Sequence, residues 1–248
     1  MTAKDHSIAK LLSSEGTSFS IELKNENRDY FLTLPNAYFA IAAAVSLTWT
    51  RHALHEEDFI TYASGYIEGV IPYDASFARK YCYRLGMDEL NTALLNYRKF
   101  YRQISNLMPD FYNCDVHDIA RLQQRLLHKL DSLRNDGMVS GIGPWLFTGP
   151  FKIILSDQDR LWNQTGIDTI ILPTGIEVDR GINRLIAEGY SFVRDFDSYW
   201  LEQETSSLLE NYATYSMVHT FIASIGQITQ TPAIHINSAL YLYGRRDI

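Results

Sequence analysis

Apolar side chains recur at three- and four-residue spacing through most of the chain, which is the spacing of one face of an α-helix. The clearest stripes combine Leu90 with Leu94 and Leu122 with Leu126. Glycine- and proline-containing breaks separate the periodic segments. Together, stripes and breaks predict nine helices, over residues 36–52, 56–68, 74–85, 88–107, 115–135, 145–155, 177–188, 198–225 and 236–243.

The N-terminal part follows a different pattern. Residues 18–23 alternate apolar and polar side chains, residues 29–34 are also typical of a strand, and the polar KNEN lies between them. This arrangement predicts a small β-hairpin. Residues 1–16 lack strong periodicity, so we expect a frayed N-terminus. Residues 17–248 are predicted to form one mainly α domain with two lobes, one of them over about 88–190.

The composition is that of an ordinary soluble globular protein, with 46% hydrophobic and 21% charged residues. The longest apolar run, residues 37–49, is shorter than the roughly 20 residues needed to span a bilayer, so no membrane partner is expected. Cys82 and Cys114 are best explained as reduced thiols. No secretory leader is recognisable. We therefore expect a cytoplasmic protein, with the nucleoid or the nucleus as alternatives.

The charge is distributed unevenly. The chain carries a net charge of −7, which argues against non-specific coating of nucleic acid. Between Arg79 and Arg134, however, ten basic residues face only six acidic ones. This local excess is compatible with one DNA-binding face, and equally with ordinary solvated helix faces.

The segment SGIGPW is the first candidate for chemistry. Gly141-Ile142-Gly143 separates two predicted helices, and Pro144 suits the first turn of the second helix. Glycines allow backbone amides to approach an outside group, and the amides of a helix N-terminus attract phosphate. The segment therefore predicts a phosphate clamp, although the same residues also suit a plain connection between helices.

The second candidate is ILPTGIEVDRGINRL. A loop containing Pro173 and Gly175 leads to Asp179 in the first turn of a predicted helix that also carries Arg180 and Arg184. A carboxylate in this position is suited to a catalytic role. It is also suited to capping the helix or to a favourable interaction with the helix dipole.

Over about residues 126–190, these two segments resemble the helix-hairpin-helix DNA glycosylase superfamily, and Trp145 is similar to the alkylated-base branch. The resemblance implies a two-lobed helical fold with a small N-terminal β-hairpin, and Asp179 as the catalytic carboxylate. It also implies DNA-phosphate contacts from a set of residues at the hairpin and after the aspartate: Gly141, Ile142, Gly143, Trp145, Arg180 and Arg184.

The activity that this resemblance implies is hydrolysis of the N-glycosidic bond of a modified DNA base that has been flipped out of the stack. The lysine of bifunctional members is absent after Gly143, so a monofunctional hydrolase without strand cleavage is expected. No cofactor is expected. No metal site is expected either, because the histidines form no recognisable ligand pair.

The chain departs from the family pattern in two further ways. Asp179 follows Gly143 at a longer spacing than is usual in the family, with residues 157–169 resembling an insertion, and Leu146-Phe147 replaces smaller residues. Two alternatives to a glycosylase therefore stay open. One is a non-catalytic DNA- or protein-binding module that retains the hairpin, and the other is a helical protein-interaction or ligand-binding domain in which SGIGPW is only a turn.

Overall fold

The computed structural model describes residues 3–33, 65–66, 69–72, 74, 76, 95, 98–99, 101–110, 113–135, 145–190 and 208–246. These residues are mainly helical and include no strand, which confirms the mainly α class. Six helices have defined bounds: α1 Ala3–Thr33, α2 Val116–Asn135, α3 Trp145–Asp157, α4 Ile176–Ala187, α5 Leu208–Thr229 and α6 Ala233–Arg245.

The chain divides into two compact units. One consists of Met1–Asn25 with Leu155–Ile248, and the other of Glu26–Ile154. These boundaries differ from the 88–190 lobe expected from the sequence. Among the predicted helices, α2, α3 and α4 begin and end within two residues of their expected positions, whereas α6 extends beyond its expected bounds at both ends. Most of residues 36–107, where four helices were predicted, lie outside the described part.

The predicted N-terminal hairpin is wrong. Helix α1 runs continuously through the segments assigned to both strands, as far as Thr33. Its buried positions recur at helical spacing: Asp5, Ile8, Ala9, Leu12, Gly16 and Ser20. Ile21, which the strand pattern placed on an apolar face, is 45% exposed. The buried face of α1 consists largely of small or polar side chains, so a search for hydrophobic stripes misses it.

Helices α4 and α6 approach each other backbone to backbone. A Cβ at Gly181 would collide with the carbonyl oxygen of Leu240, and a Cβ at Gly244 would collide with that of Glu177. Two glycines, one on each helix, therefore permit a close contact that a larger residue would block. Gly16 gives α1 a similar approach to α6, because a Cβ there would overlap the carbonyl oxygen of His235.

The hydrophobic core of the first unit surrounds these crossings. It is built from aliphatic side chains of α1, α4, α5 and α6, including the fully buried Leu12, Ile182, Ile222 and Leu240. Burying such side chains supplies the main favourable free energy of folding, at roughly 25 cal/mol for each Å² of apolar surface. The core therefore fixes α4, which carries Asp179, against three other helices.

The glycine contact leads to a stability prediction. Gly181→Ala should lower the free energy of unfolding by about 1–3 kcal/mol, because the new methyl group meets backbone that cannot rotate away. Gly175→Ala is the matched control, since its Cβ would find only Glu177 Oε2, at an ordinary 3.5 Å. Urea unfolding followed by far-UV circular dichroism measures both variants. Equal stability of the two would contradict the close-contact interpretation.

Candidate functional site

Asp179 is the fourth residue of α4 and is half-buried. Its amide N–H donates to the carbonyl oxygen of Gly175 at 3.0 Å, which is an ordinary helical bond. The side chain does not serve as the N-cap, because that position is held by Gly175 and no side chain caps it. The capping explanation for this aspartate therefore has no support in the geometry.

The carboxylate of Asp179 has a defined partner one turn further along α4. Asn183 donates from Nδ2 to Asp179 Oδ1 at 3.1 Å. Such a bond restricts the rotation of the carboxylate while leaving it partly open to solvent. The i, i+4 spacing that brings the two side chains together was visible in the sequence, but an asparagine in a predicted helix carries no distinctive signal.

The loop before α4 is anchored from the neighbouring helix. The buried side chain of Asn237, on α6, donates from Nδ2 to the carbonyl oxygen of Pro173 at 2.8 Å. Asn237 is fully buried, and Pro173 is buried as well. This bond fixes the loop before α4, and the Gly181–Leu240 contact fixes the second turn of α4. Asp179 lies between these two fixed points.

The two predicted phosphate-binding arginines of α4 have different surroundings. Arg180 is exposed. Arg184 donates to the carbonyl oxygens of Tyr243 and Arg246, at 2.7 and 2.8 Å, and its guanidinium lies over the Tyr243 ring. These bonds satisfy the C-terminal end of α6, where carbonyl groups lack helical partners. Arg184 is therefore a structural residue, and a phosphate contact would depend on its remaining N–H groups.

The predicted hairpin glycines, Gly141 and Gly143, lie outside the described residues together with Ile142. The helices on either side are described: α2 ends at Asn135, and α3 begins at Trp145. Trp145 is thus the first residue of the helix that follows the predicted hairpin, as expected from the proline before it.

The segment that resembled an insertion is integrated into the first unit. It forms two 3-10 turns, Asp159–Leu161 and Ile167–Thr169, with Leu161 buried. Asp168 accepts from the first amide of α6, that of Ala233, at 3.0 Å. This carboxylate therefore caps α6, and the inserted residues stabilise the helix that packs against α4.

Two buried histidines form further polar contacts inside the first unit. His235 Nδ1 lies 2.9 Å from Ser20 Oγ. The centroids of the His235 and Trp162 rings are 4.6 Å apart, with the two ring planes perpendicular. His219 donates from Nε2 to the carbonyl oxygen of Asp168 and accepts from the amide of Leu172 at Nδ1. Burial lowers the pKa of both rings, that of His235 to about 4. Both imidazoles are therefore neutral at pH 7.

Comparison of the chain with protein-family models, with curated proteins and with solved structures finds no match. None of the helices in the described residues is both long enough and apolar enough to cross a membrane. The resemblance to the helix-hairpin-helix glycosylases therefore rests on the sequence motifs alone.

The buried histidines predict how stability depends on pH. A ring whose pKa falls from about 6.5 to about 4 on folding binds fewer protons in the folded state between these values. The free energy of unfolding should have its full value above about pH 6.5. As the pH falls to about 4, protonation of His235 alone should lower this free energy by up to about 3 kcal/mol. His235→Gln should make this dependence shallower. The exposed His128→Gln is the control, and an unchanged pH profile in His235→Gln would contradict the assignment.

Proposed function

We propose that this chain is a monofunctional DNA N-glycosylase that hydrolyses the N-glycosidic bond of a modified base, with Asp179 as its catalytic carboxylate. The observation that carries the proposal is the position of Asp179 and the hydrogen bond to its side chain. It stands in the first turn of α4, does not cap the helix, and is oriented by Asn183. A half-buried carboxylate held in one orientation suits a reaction that develops positive charge nearby.

The charge development follows from the chemistry of the bond. When a base leaves with the bonding electrons, positive charge appears on the deoxyribose, and a water molecule must attack the anomeric carbon. A carboxylate that is already fixed stabilises this cation without reorganising, which is the usual source of electrostatic catalysis. Asp179 would stabilise the charge or orient the water. The position two residues after Gly143 is Trp145 and not a lysine, so the proposal includes no covalent intermediate with an amine.

The rigidity of α4 supports this role. Displacing a catalytic group by about 1 Å costs roughly 10²-fold in rate, so such a group needs a firmly held scaffold. The anchoring of Pro173 by Asn237 and the contact between Gly181 and α6 provide that scaffold. In this proposal, phosphate binding by Gly141, Ile142, Gly143 and Trp145 stays a prediction from the sequence, and Arg180 is its exposed cation on α4.

The test is base release from a panel of duplexes, each carrying one alkylated, deaminated or oxidised base, with the free base identified by mass spectrometry. Asp179→Asn should reduce release of the preferred base by about 10²–10³-fold, because it removes the negative charge and keeps the shape. DNA binding and the urea unfolding midpoint should stay near those of the wild type, since Asn183 can bond to an amide oxygen as well.

Glu177→Gln is the matched control. It removes the same charge from the same turn of α4, and Glu177 also interacts favourably with the helix dipole. A general effect of charge would slow both variants alike, whereas the catalytic assignment predicts that Glu177→Gln stays within about threefold of the wild type. Base release by Asp179→Asn at the wild-type rate would show that this residue is not catalytic. A wild type that binds DNA and releases no base would favour a binding module without catalysis.

A further inference from the structure

A second group of residues in the first unit has the chemistry of a nucleic-acid contact. The rings of Phe19, on α1, and Tyr241, on α6, are stacked with centroids 5.9 Å apart and planes 19° apart. The guanidinium of Arg245 lies 5.5 Å from the Tyr241 ring and donates to its hydroxyl at 3.1 Å. Phe19, Tyr241 and Arg245 thus form a continuous row, called here the aromatic–arginine row.

The aromatic–arginine row is accessible to solvent. Arg245 is exposed, and both rings are only partly buried. In the part of the chain that the structure describes, no carboxylate pairs with Arg245, whereas its neighbour Arg246 is paired with Glu15. A cation that lies at an aromatic ring and has no acidic partner attracts phosphate, and an aromatic face accepts a base by stacking.

The glycine contact places the last turn of α6, which carries Arg245, against the beginning of α4. A Cβ at Gly244 would lie 2.8 Å from the amide nitrogen of Gly181. Arg245 follows Gly244 directly, so the α6 part of the aromatic–arginine row belongs to the same pair of helices as Asp179.

We propose that Phe19, Tyr241 and Arg245 bind a DNA strand, with Arg245 at a phosphate and the rings against an unstacked base. The inference deepens the proposed glycosylase function and rests on it for the identity of the strand. It adds an unstacked base as the feature that the row recognises. Because every base has a π-face, the row should bind without strong sequence preference.

The binding test uses a fluorescein-labelled oligo-dT strand of about 20 nucleotides, long enough to cover one site, and a duplex of the same length. Arg245→Gln should weaken binding to both by about three- to tenfold in low salt. It should also reduce the slope of log K against log salt by about 1, the value for one lost phosphate contact. Tyr241→Leu should weaken binding of the single strand by about tenfold and that of the duplex less.

Two variants serve as controls. Ile228→Ala removes an exposed apolar side chain from α5 of the same unit, so it should bind as the wild type does. Lys10→Gln removes one exposed charge from α1 in the same unit and should leave the salt slope unchanged. Far-UV circular dichroism shows whether each variant is folded. If Arg245→Gln and Tyr241→Leu bind no more weakly than these controls, or if the wild type binds neither probe, the inference is overturned.

Base release measured on the same preparations separates this inference from the proposed function. A wild type that binds through Arg245 and Tyr241 but releases no base would contradict glycosylase activity and support the row as a binding surface. A wild type that releases base, while Arg245→Gln and Tyr241→Leu bind normally, would overturn the row and leave the role of Asp179 standing.

Discussion

The backbone contact between α4 and α6 is the constraint on which the first unit depends. Helices with ordinary side chains pack with their axes 8–10 Å apart, and here Gly181 and Gly244 remove the side chains at the crossing. Close approach brings Asn237 within reach of the Pro173 carbonyl and Arg184 within reach of the end of α6. These two polar contacts between the helices thus depend on two missing Cβ atoms.

Both ends of α6 are held by side chains from distant parts of the sequence. Asp168 accepts a hydrogen bond from the first amide of α6, and Arg184 donates to carbonyl oxygens at the end of α6. Tyr243 adds a bond from its hydroxyl to Glu188, at 2.7 Å, and burial together with this bond raises the pKa of Tyr243 to about 12. Because unpaired groups at helix ends are costly when buried, these contacts fix the position and length of α6.

The sequence predicts the helices well where large apolar residues mark their faces. The bounds of α2 and α3 follow from leucine and isoleucine spacing and from the proline before Trp145. The same approach fails for α1, whose buried face contains Gly16 and Ser20, because close packing and hydrogen bonding replace large apolar side chains there. Asp179 could be found from its motif. Asn237 and the aromatic–arginine row could not, because they depend on contacts between helices far apart in the sequence.

The charges at the beginning of α4 suggest different roles for its acidic and its basic residues in the proposed function. A bare helix N-terminus attracts anions, but Glu177 and Asp179 already place negative charge in this first turn. A phosphate is therefore disfavoured at that turn, whereas a sugar that becomes cationic is favoured. Arg180 follows Asp179 directly and is exposed, so it supplies positive charge beside these carboxylates. In the proposed function, a strand whose phosphate lies at Arg180 would keep its backbone off the carboxylates, so that only the sugar needs to approach Asp179.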